Sequence, residues 1–434
     1  MRIVFLHSGR EFDGDSLDHQ ALGGTETALI STAKALAANP DLEVWVFAGV
    51  AAPAVFSRVH YAPLTRFHGW AISHPVDVLI SIRMWLPFWL PVRAGLRVYF
   101  SPDAHDQPFL RKGFDVATRS AGNIQTVPLL APDYFLDDVD AVFCVGQWQA
   151  DQFVSQLGFP RAKIFVTANG VRLANFGPRP LAERHRRLLY SSTPFRGLLH
   201  LVRYFPEIRA RSPGAELEIC SSMQVYGLSA AEDESLYGTL YSDARKLGAI
   251  SHGSVRQAEL ASIMCRDRVY AYPNVFAETF CISVLEAQAA GLPVVTTKKA
   301  GLVERVASGV DGFLIDGDPG EPSYDREFID RTVLLLANDD VWRCMSAASI
   351  RKARQFTYER VADSWLEYFR DRLQGVDPQL PTVDLDALRP FAARSTTDSG
   401  VTITVGSAEL KSLVNRAFTK FFGPPEPDPA ARGS

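Results

Sequence analysis

Short β-rich runs alternate with helical stretches twice over along this chain, and that alternation constrains the fold more than any other feature. In the first half, RIVFLH (2–7), EVWVFA (43–48), DVLISI (77–82), RVYFS (97–101), DAVFCVG (140–146) and the run at 163–167 are separated by helical patterns. In the second half, RRLLYSS, AELEIC, RVYAYP and PVVTT are separated by helices expected near 197–211, 232–246, 256–265 and 282–290. Strands alternating with helices imply parallel, doubly wound sheets whose ligands bind beyond the carboxyl ends of the strands. The polar, Pro-bearing stretch RLANFGPRPLAERHR reads as an interdomain linker. The expected organisation is an N-terminal Rossmann-like domain over 1–171, a linker over 172–186, a C-terminal Rossmann-like domain over 187–373 and a tail over 374–434. The expected fold class is α/β, with two doubly wound domains facing a central cleft that encloses the site. The tail mixes Pro, Asp and Ser, which points to flexible linkage, and its segment 401–422 reads as a short strand followed by a docking helix.

The most informative local stretch is NVFAETFCISVLEAQAAGLPVV (274–295). The run RVYAYP is strand-like, Pro273 and Asn274 carry turn chemistry, and the helical segment from Ile282 is stopped by Gly291, Leu292 and Pro293. Glu278 is thus expected in a loop and Glu286 inside a helix. The free N–H groups of a helix start favour an anion, so a diphosphate is expected near Thr279, Phe280 and Cys281. Carboxylates on either side of it can accept hydrogen bonds from sugar and ribose hydroxyls. Spacing alone carries little, because at ordinary Glu frequency a pair eight apart arises about once by chance in a chain this long. A second such pair, Glu359 and Glu367, lies in TYERVADSWLEYFR, whose apolar stripe marks it as a solvated helix edge. Context distinguishes the first pair.

Three further constellations carry chemistry. Gly23 and Gly24 stand immediately before the helix TETALISTAKALAA, where paired glycines let the backbone approach a ligand. An ordinary turn capped by Thr25 is the bland alternative. In YFSPDAHDQP (99–108), Asp103, His105 and Asp106 follow a strand and can orient hydroxyls or carry protons, or else form a solvated turn. Arg196, in YSSTPFRGLLHLV, precedes a glycine and a helix and suits a phosphate clamp. LGAISHGSV (247–255) ends a further strand at His252 and Gly253. MWLPFWLPV (84–92) is the densest aromatic cluster; it reads as core packing or, more sharply, as an acceptor wall or shallow membrane contact.

The run AETFCISVLEAQAAGLPVV resembles the donor-site signature of family 4 glycosyltransferases, retaining enzymes of the two-Rossmann GT-B fold, and the likeness extends over about residues 1–373. The resemblance implies that Glu278 contacts the transferred sugar and Glu286 the ribose. It also implies that the Gly23 and Gly24 loop faces the donor phosphates and the acceptor. One of Asp103, His105 and Asp106 would lie by the acceptor hydroxyl or the sugar, His105 being the first choice. Arg196 fits the position of the family's phosphate-binding Lys, whereas the Arg expected upstream of it is replaced by Ser191, Ser192 and Thr193. The Asn169, Gly170, Val171 turn matches the end of the family's first domain. The family needs no metal and no cofactor beyond the nucleotide diphosphate sugar that serves as donor substrate. The implied activity is transfer of a sugar from that donor to a hydroxyl acceptor, a glycan, lipid-linked or small molecule, with retention of configuration. A nucleotide-sugar epimerase of the same fold and a non-catalytic nucleotide-sugar-binding protein stay open as alternatives, the latter supported by the absent Arg.

Bulk properties agree. With 434 residues and 47% hydrophobic content the chain suits two buried cores. A net charge of -4 gives no general reason to expect nucleic acid as a partner. Five cysteines in no paired or metal-like spacing point to a reducing compartment, with Cys144, Cys220 and Cys281 expected as buried thiols. The start, MRIVFLHSGR, suits a first strand better than a signal peptide. No run approaches the roughly 18 apolar residues of a membrane span. The expected location is cytoplasmic, with the inner membrane face as the variant that a lipid-linked acceptor would require.

Overall fold

A computed structural model describes residues 1–107, 115–120, 123–128, 136–381, 391–394 and 402–405 and the single positions 412, 419 and 422. The chain divides into two compact units: Met1–Gly14, Ala33–Thr167 and Ala362–Ser434 form one, Asp15–Thr32 and Ala168–Val361 the other.

Strands of the first unit are β1 (Arg2–Glu11), β2 (Glu43–Gly49), β3 (Ala54–Phe56), β4 (Val59–Pro63), β5 (Val76–Ile82), β6 (Ala94–Ser101), β7 (Asp115–Ser120), β8 (Asn123–Pro128), β9 (Ala141–Cys144) and β10 (Ile164–Val166). Eight of them make one sheet in the order β10-β9-β6-β5-β1-β2-β4-β3, parallel throughout except where β3 meets β4, while β7 and β8 pair separately. Ile3, Val4, Phe5 and Leu6 are all fully buried, as a central parallel strand covered on both faces requires. From β1 the strand order runs one way to β2 and the other way to β5, so the order reverses between β1 and β5. Trp365, on the Tyr358–Arg372 helix, packs against Phe100 and Phe143 at 5.3 and 5.0 Å and donates to Thr167 Oγ1 at 2.6 Å. Glu359 and Glu367 lie on that helix's exposed side.

Of the two readings of residues 84–92, core packing is the one observed. Trp85, Phe88 and Trp89 are buried; Trp85 stacks on Tyr99 at 3.6 Å, and Trp89 Nε1 donates to Asp138 Oδ2 at 3.1 Å. These rings therefore present no face to a lipid surface. Among the described residues no helix is long and apolar enough to cross a membrane.

The second unit is built on β11 (Arg187–Tyr190), β12 (Glu216–Ile219), β13 (Ile250–Ser251), β14 (Val269–Tyr272), β15 (Val294–Thr297) and β16 (Gly312–Ile315). All six are parallel, in the order β13-β12-β11-β14-β15-β16. The chain lays β12 and β13 on one side of β11 and then crosses to lay β14, β15 and β16 on the other. The order thus reverses between β11 and β14, where the loops after the two strands diverge and leave a crevice. Helices Leu198–Arg211, Ala230–Lys246, Gln257–Arg266 and Ile282–Ala289 connect the strands. Ala230–Lys246 opens on a capping box in which Ser229 and Glu232 satisfy each other's backbone N–H groups.

In the tail, Gln379 pairs with Ala94, and its carbonyl accepts from Arg97 at 2.6 Å. A further antiparallel pair is β17 (Phe391–Arg394) with β18 (Thr402–Val405). The expected docking helix falls almost wholly outside the described residues, as does the terminal stretch 423–434.

Candidate functional site

Arg196 and Glu278 stand on the two loops that flank the reversal between β11 and β14. After β11 the chain turns through Ser191, Ser192 and Thr193 into the short 3-10 turn Pro194–Arg196. After β14 it passes Pro273 and Asn274, whose side chain accepts from Phe276 N at 3.0 Å and donates to Phe276 O at 2.5 Å, an Asx-type turn. The two loops touch at Gly197, which has φ +130°; a Cβ there would lie 2.0 Å from Pro273 O. Close approach and backbone angle both demand glycine.

Across this contact Arg196 Nη1 donates to Glu278 Oε1 at 2.8 Å and Nη2 donates to Tyr226 OH at 2.8 Å. Tyr272 OH donates to the same Glu278 Oε1 at 2.6 Å. Oε1 is thus doubly held, and no protein group among the described residues bonds Oε2. The Arg196 guanidinium lies over the Phe276 ring at 4.2 Å. Its burial alone would lower its pKa, but the Glu278 carboxylate, with the Tyr226 and Tyr272 hydroxyls, outweighs this and holds it well above the ordinary value. Burial, reinforced by Glu278, pushes the Tyr272 phenol well up, so it stays a donor.

Helix Ile282–Ala289 begins four residues after Glu278, and no side chain caps its start. Cys281, the N-cap, has φ +67°, a left-handed conformation uncommon outside glycine, and its thiol is buried beside Ser283 Oγ at 3.4 Å. Phe280 and Thr279 are both buried. Glu286 lies one turn into the helix; burial pushes its pKa up to about 7, against the opposing effects of a Gln257 hydrogen bond and the Arg172 charge. Gly23 and Gly24 belong to the same unit. A Cβ on Gly24 would meet Ile282 Cδ1 at 3.3 Å, and one on Gly23 would come within 3.9 Å of the Val225 carbonyl. The Gly-Gly loop therefore abuts both the helix start and the Met223–Tyr226 turn. Donor-binding candidates from distant parts of the chain, Gly23, Gly24, Arg196, Glu278 and residues 279–281, are brought together. Two helix N-termini and one guanidinium converge there, an arrangement suited to an anion.

Several contributors escaped the sequence reading. Tyr190 OH donates to Thr193 O at 2.8 Å and Tyr270 OH to Ser191 O at 2.9 Å, so buried tyrosines at the end of β11 and within β14 brace the first loop as Tyr272, at the end of β14, braces the second. The signal was a tyrosine at the carboxyl end of each of two neighbouring runs. Asp233 tethers the Met223–Tyr226 turn, accepting from Ser222 Oγ at 2.6 Å and Met223 N at 3.0 Å, and so delivers Tyr226 to Arg196.

Asp103, His105 and Asp106 belong to the other unit. Arg83, itself at φ +65°, clamps Asp103 with two hydrogen bonds of 2.6 and 2.9 Å. His105 is half-buried with Nδ1 unpartnered, and Asp106 is exposed. Residue 108, the last of that motif, lies outside the described residues. His252 Nε2 meets Glu218 Oε1 at 2.7 Å, so its ring is held by an acid that also receives Arg266 at 3.1 Å. Among the described residues no cluster of His, Cys, Asp or Glu is arranged to hold a metal ion.

Residues 186–338 match the family model described as glycosyl transferases group 1. The D-inositol 3-phosphate glycosyltransferase of Paenarthrobacter aurescens (strain TC1) is 30% identical over 243 residues, covering 52% of this chain and 56% of that protein. The D-inositol 3-phosphate glycosyltransferase of Segniliparus rotundus is 29% identical over 228 residues, covering 49% of this chain and 48% of that protein. The chain spans about half the length of the curated relatives it matches. Among solved structures, sucrose-phosphate synthase from Thermosynechococcus elongatus aligns with a TM-score of 0.66 at 14% identity, over 86% of this chain and 99% of that one. Anabaena HepE in complex with UDP-glucose aligns at 0.62 with 16% identity, over 86% and 100%. These structural likenesses are of fold.

Proposed function

We propose that this chain, which has the GT-B fold and carries a glycosyl transferases group 1 domain over residues 186–338, moves a sugar from a nucleotide diphosphate donor to a hydroxyl acceptor with retention of configuration. The observation that carries the reading is the Arg196, Glu278 and Tyr272 cluster at the β11 and β14 reversal, beside an uncapped helix start. Glu278, with Oε1 anchored, turns Oε2 to the sugar hydroxyls. The diphosphate rests on the Ile282 helix start and the Gly23 and Gly24 loop, with the remaining N–H groups of Arg196 on its oxygens. Glu286 takes the ribose hydroxyls. HepE holds UDP-glucose in its crystals, which supports this donor class.

In the transfer step the acceptor oxygen forms a bond to the anomeric carbon on the face that the diphosphate leaves. The carbon–oxygen bond to phosphate breaks with its electron pair going to the diphosphate, and the acceptor's proton passes to a phosphate oxygen. Helix starts and Arg196 stabilise the charge building on the leaving group, a term that grows only in the transition state.

A non-catalytic nucleotide-sugar binder is the second reading, favoured by one observation: Glu278 already neutralises Arg196, and among the described residues no second cation bonds there. A thermal-shift panel of nucleotide sugars, with Glu286→Gln as control, tests the donor site. NMR of the stabilising donor with candidate hydroxyl acceptors then separates the two readings, since transfer with inverted configuration or no turnover at all would sink the proposal.

A further inference from the structure

Arg305 is only 7% exposed, yet no acid pairs with it. Its guanidinium sits in the corner of two rings that meet edge to face at 73°, 4.1 Å from Phe280 and 4.4 Å from Phe356, and Nε and Nη1 have no hydrogen-bond partner. Glu304 and Asp311 act on it only through space, and Asp311 is engaged by Lys352 at 3.2 Å and by Ala307 N at 2.8 Å. The segment carrying Arg305 clasps the back of the Glu278 loop: Gly301 N donates to Glu278 O at 2.7 Å, and a Cβ on Gly301 would sit 2.3 Å from Thr279 O. Gln288 Nε2, from the helix that follows the loop, donates to Arg305 O at 2.8 Å.

A buried guanidinium without a counter-ion is costly, and cation–π contact with two phenylalanines offsets only part of that cost. Phe280, on which it stacks, directly precedes the uncapped start of helix Ile282–Ala289. At the front of that start, the charge of Arg196 is already matched by Glu278. Lys298 and Lys299 are likewise paired, with Asp316 and Asp318 at 2.8 and 2.9 Å. A diphosphate placed there brings more negative charge than the facing side chains balance.

We infer that Arg305 supplies, from behind Phe280 and without touching the ligand, the second positive charge of a diphosphate site at the Ile282 helix start. This inference rests on the donor-site reading above. In a low-dielectric interior an unpaired charge acts over several ångströms and is screened little by salt. Arg305 is therefore a positioning charge whose natural counter-ion is the donor's diphosphate.

The test is calorimetric titration of the full chain with inorganic pyrophosphate, for the unaltered protein, Arg305→Met and Arg305→Lys. Met keeps an apolar chain against the two rings and removes the charge; Lys keeps the charge without the guanidinium plane. We expect Arg305→Met to weaken pyrophosphate binding about tenfold and Arg305→Lys to stay within about twofold, with the gap persisting at high salt. Equal weakening by both variants, or none by Arg305→Met, overturns the inference while leaving the donor site standing. Absence of pyrophosphate binding by the unaltered chain overturns both.

Discussion

Arg196 Nη1 lies 2.8 Å from Glu278 Oε1, an ion pair closed across 82 residues of sequence. Both side chains are largely shielded, at 19% and 7% exposure. Removing either partner leaves a poorly hydrated charge behind. Arg196→Met and Glu278→Gln should each destabilise the unliganded protein by about 2 to 4 kcal/mol. The double variant should lose less than the sum. Chemical denaturation of the four proteins checks this; strict additivity would mean the pair is not coupled in solution.

The two glutamates should separate kinetically. In the proposed site, Glu278→Gln keeps the shape but would weaken every hydrogen bond that Oε2 accepts from the sugar, so turnover should fall about a hundredfold while nucleoside diphosphate binding stays within about threefold. Glu286→Gln should do the reverse, weakening nucleotide binding about tenfold with a smaller change in turnover. Isothermal titration beside single-turnover rates distinguishes them, and matching profiles for both variants would argue against the division of roles.

Glu286 also sets a pH dependence. Its folded-state pKa of about 7 stands above the ordinary 4.5, so folding favours the protonated acid. That contribution is complete below about pH 4.5 and is lost as pH rises through about 7, a span worth about 3 kcal/mol. Unliganded Glu286→Gln should therefore gain on the parent protein between pH 5 and 8. In the proposed site ribose hydroxyls would donate to the ionised form, so nucleotide binding should tighten across the same range and release a proton. Titrations in buffers of different ionisation enthalpy read that proton directly, and Glu286→Gln should release none.

Gly197→Ala should be among the most damaging small substitutions in the second unit. It combines φ +130° with a Cβ 2.0 Å from Pro273 O, so the loops after β11 and β14 would have to part. A loss of about 3 kcal/mol or more is expected. Differential scanning calorimetry checks it, with Gly214→Ala, which meets nothing within 4 Å although its φ is +81°, as the milder comparison. Similar losses at both positions would show that backbone strain alone, and not the loop contact, sets the cost.

Much of the architecture is written locally. Ile3 to Leu6 announce a strand covered on both faces through their uninterrupted apolar character, and Gly291 with Pro293 ends the helix that carries Glu286. The residue types at 278 and 286, and a glycine pair ahead of a helix, are likewise visible in the string because motif chemistry sits within a few consecutive residues. What no local pattern contains is which strands are neighbours. That β14 crosses to lie beside β11 is a long-range outcome of packing, and it alone sets Arg196 against Glu278 and places Tyr272 on the same carboxylate oxygen. The same holds for residues 15–32, which precede β2 in sequence yet pack with the second unit, so that Gly24 meets Ile282. Arg305 makes the point most plainly. In the sequence it is one arginine among many; only the fold strips it of solvent and partner, because the corner formed by Phe280 and Phe356 depends on three segments that meet nowhere but in the tertiary structure.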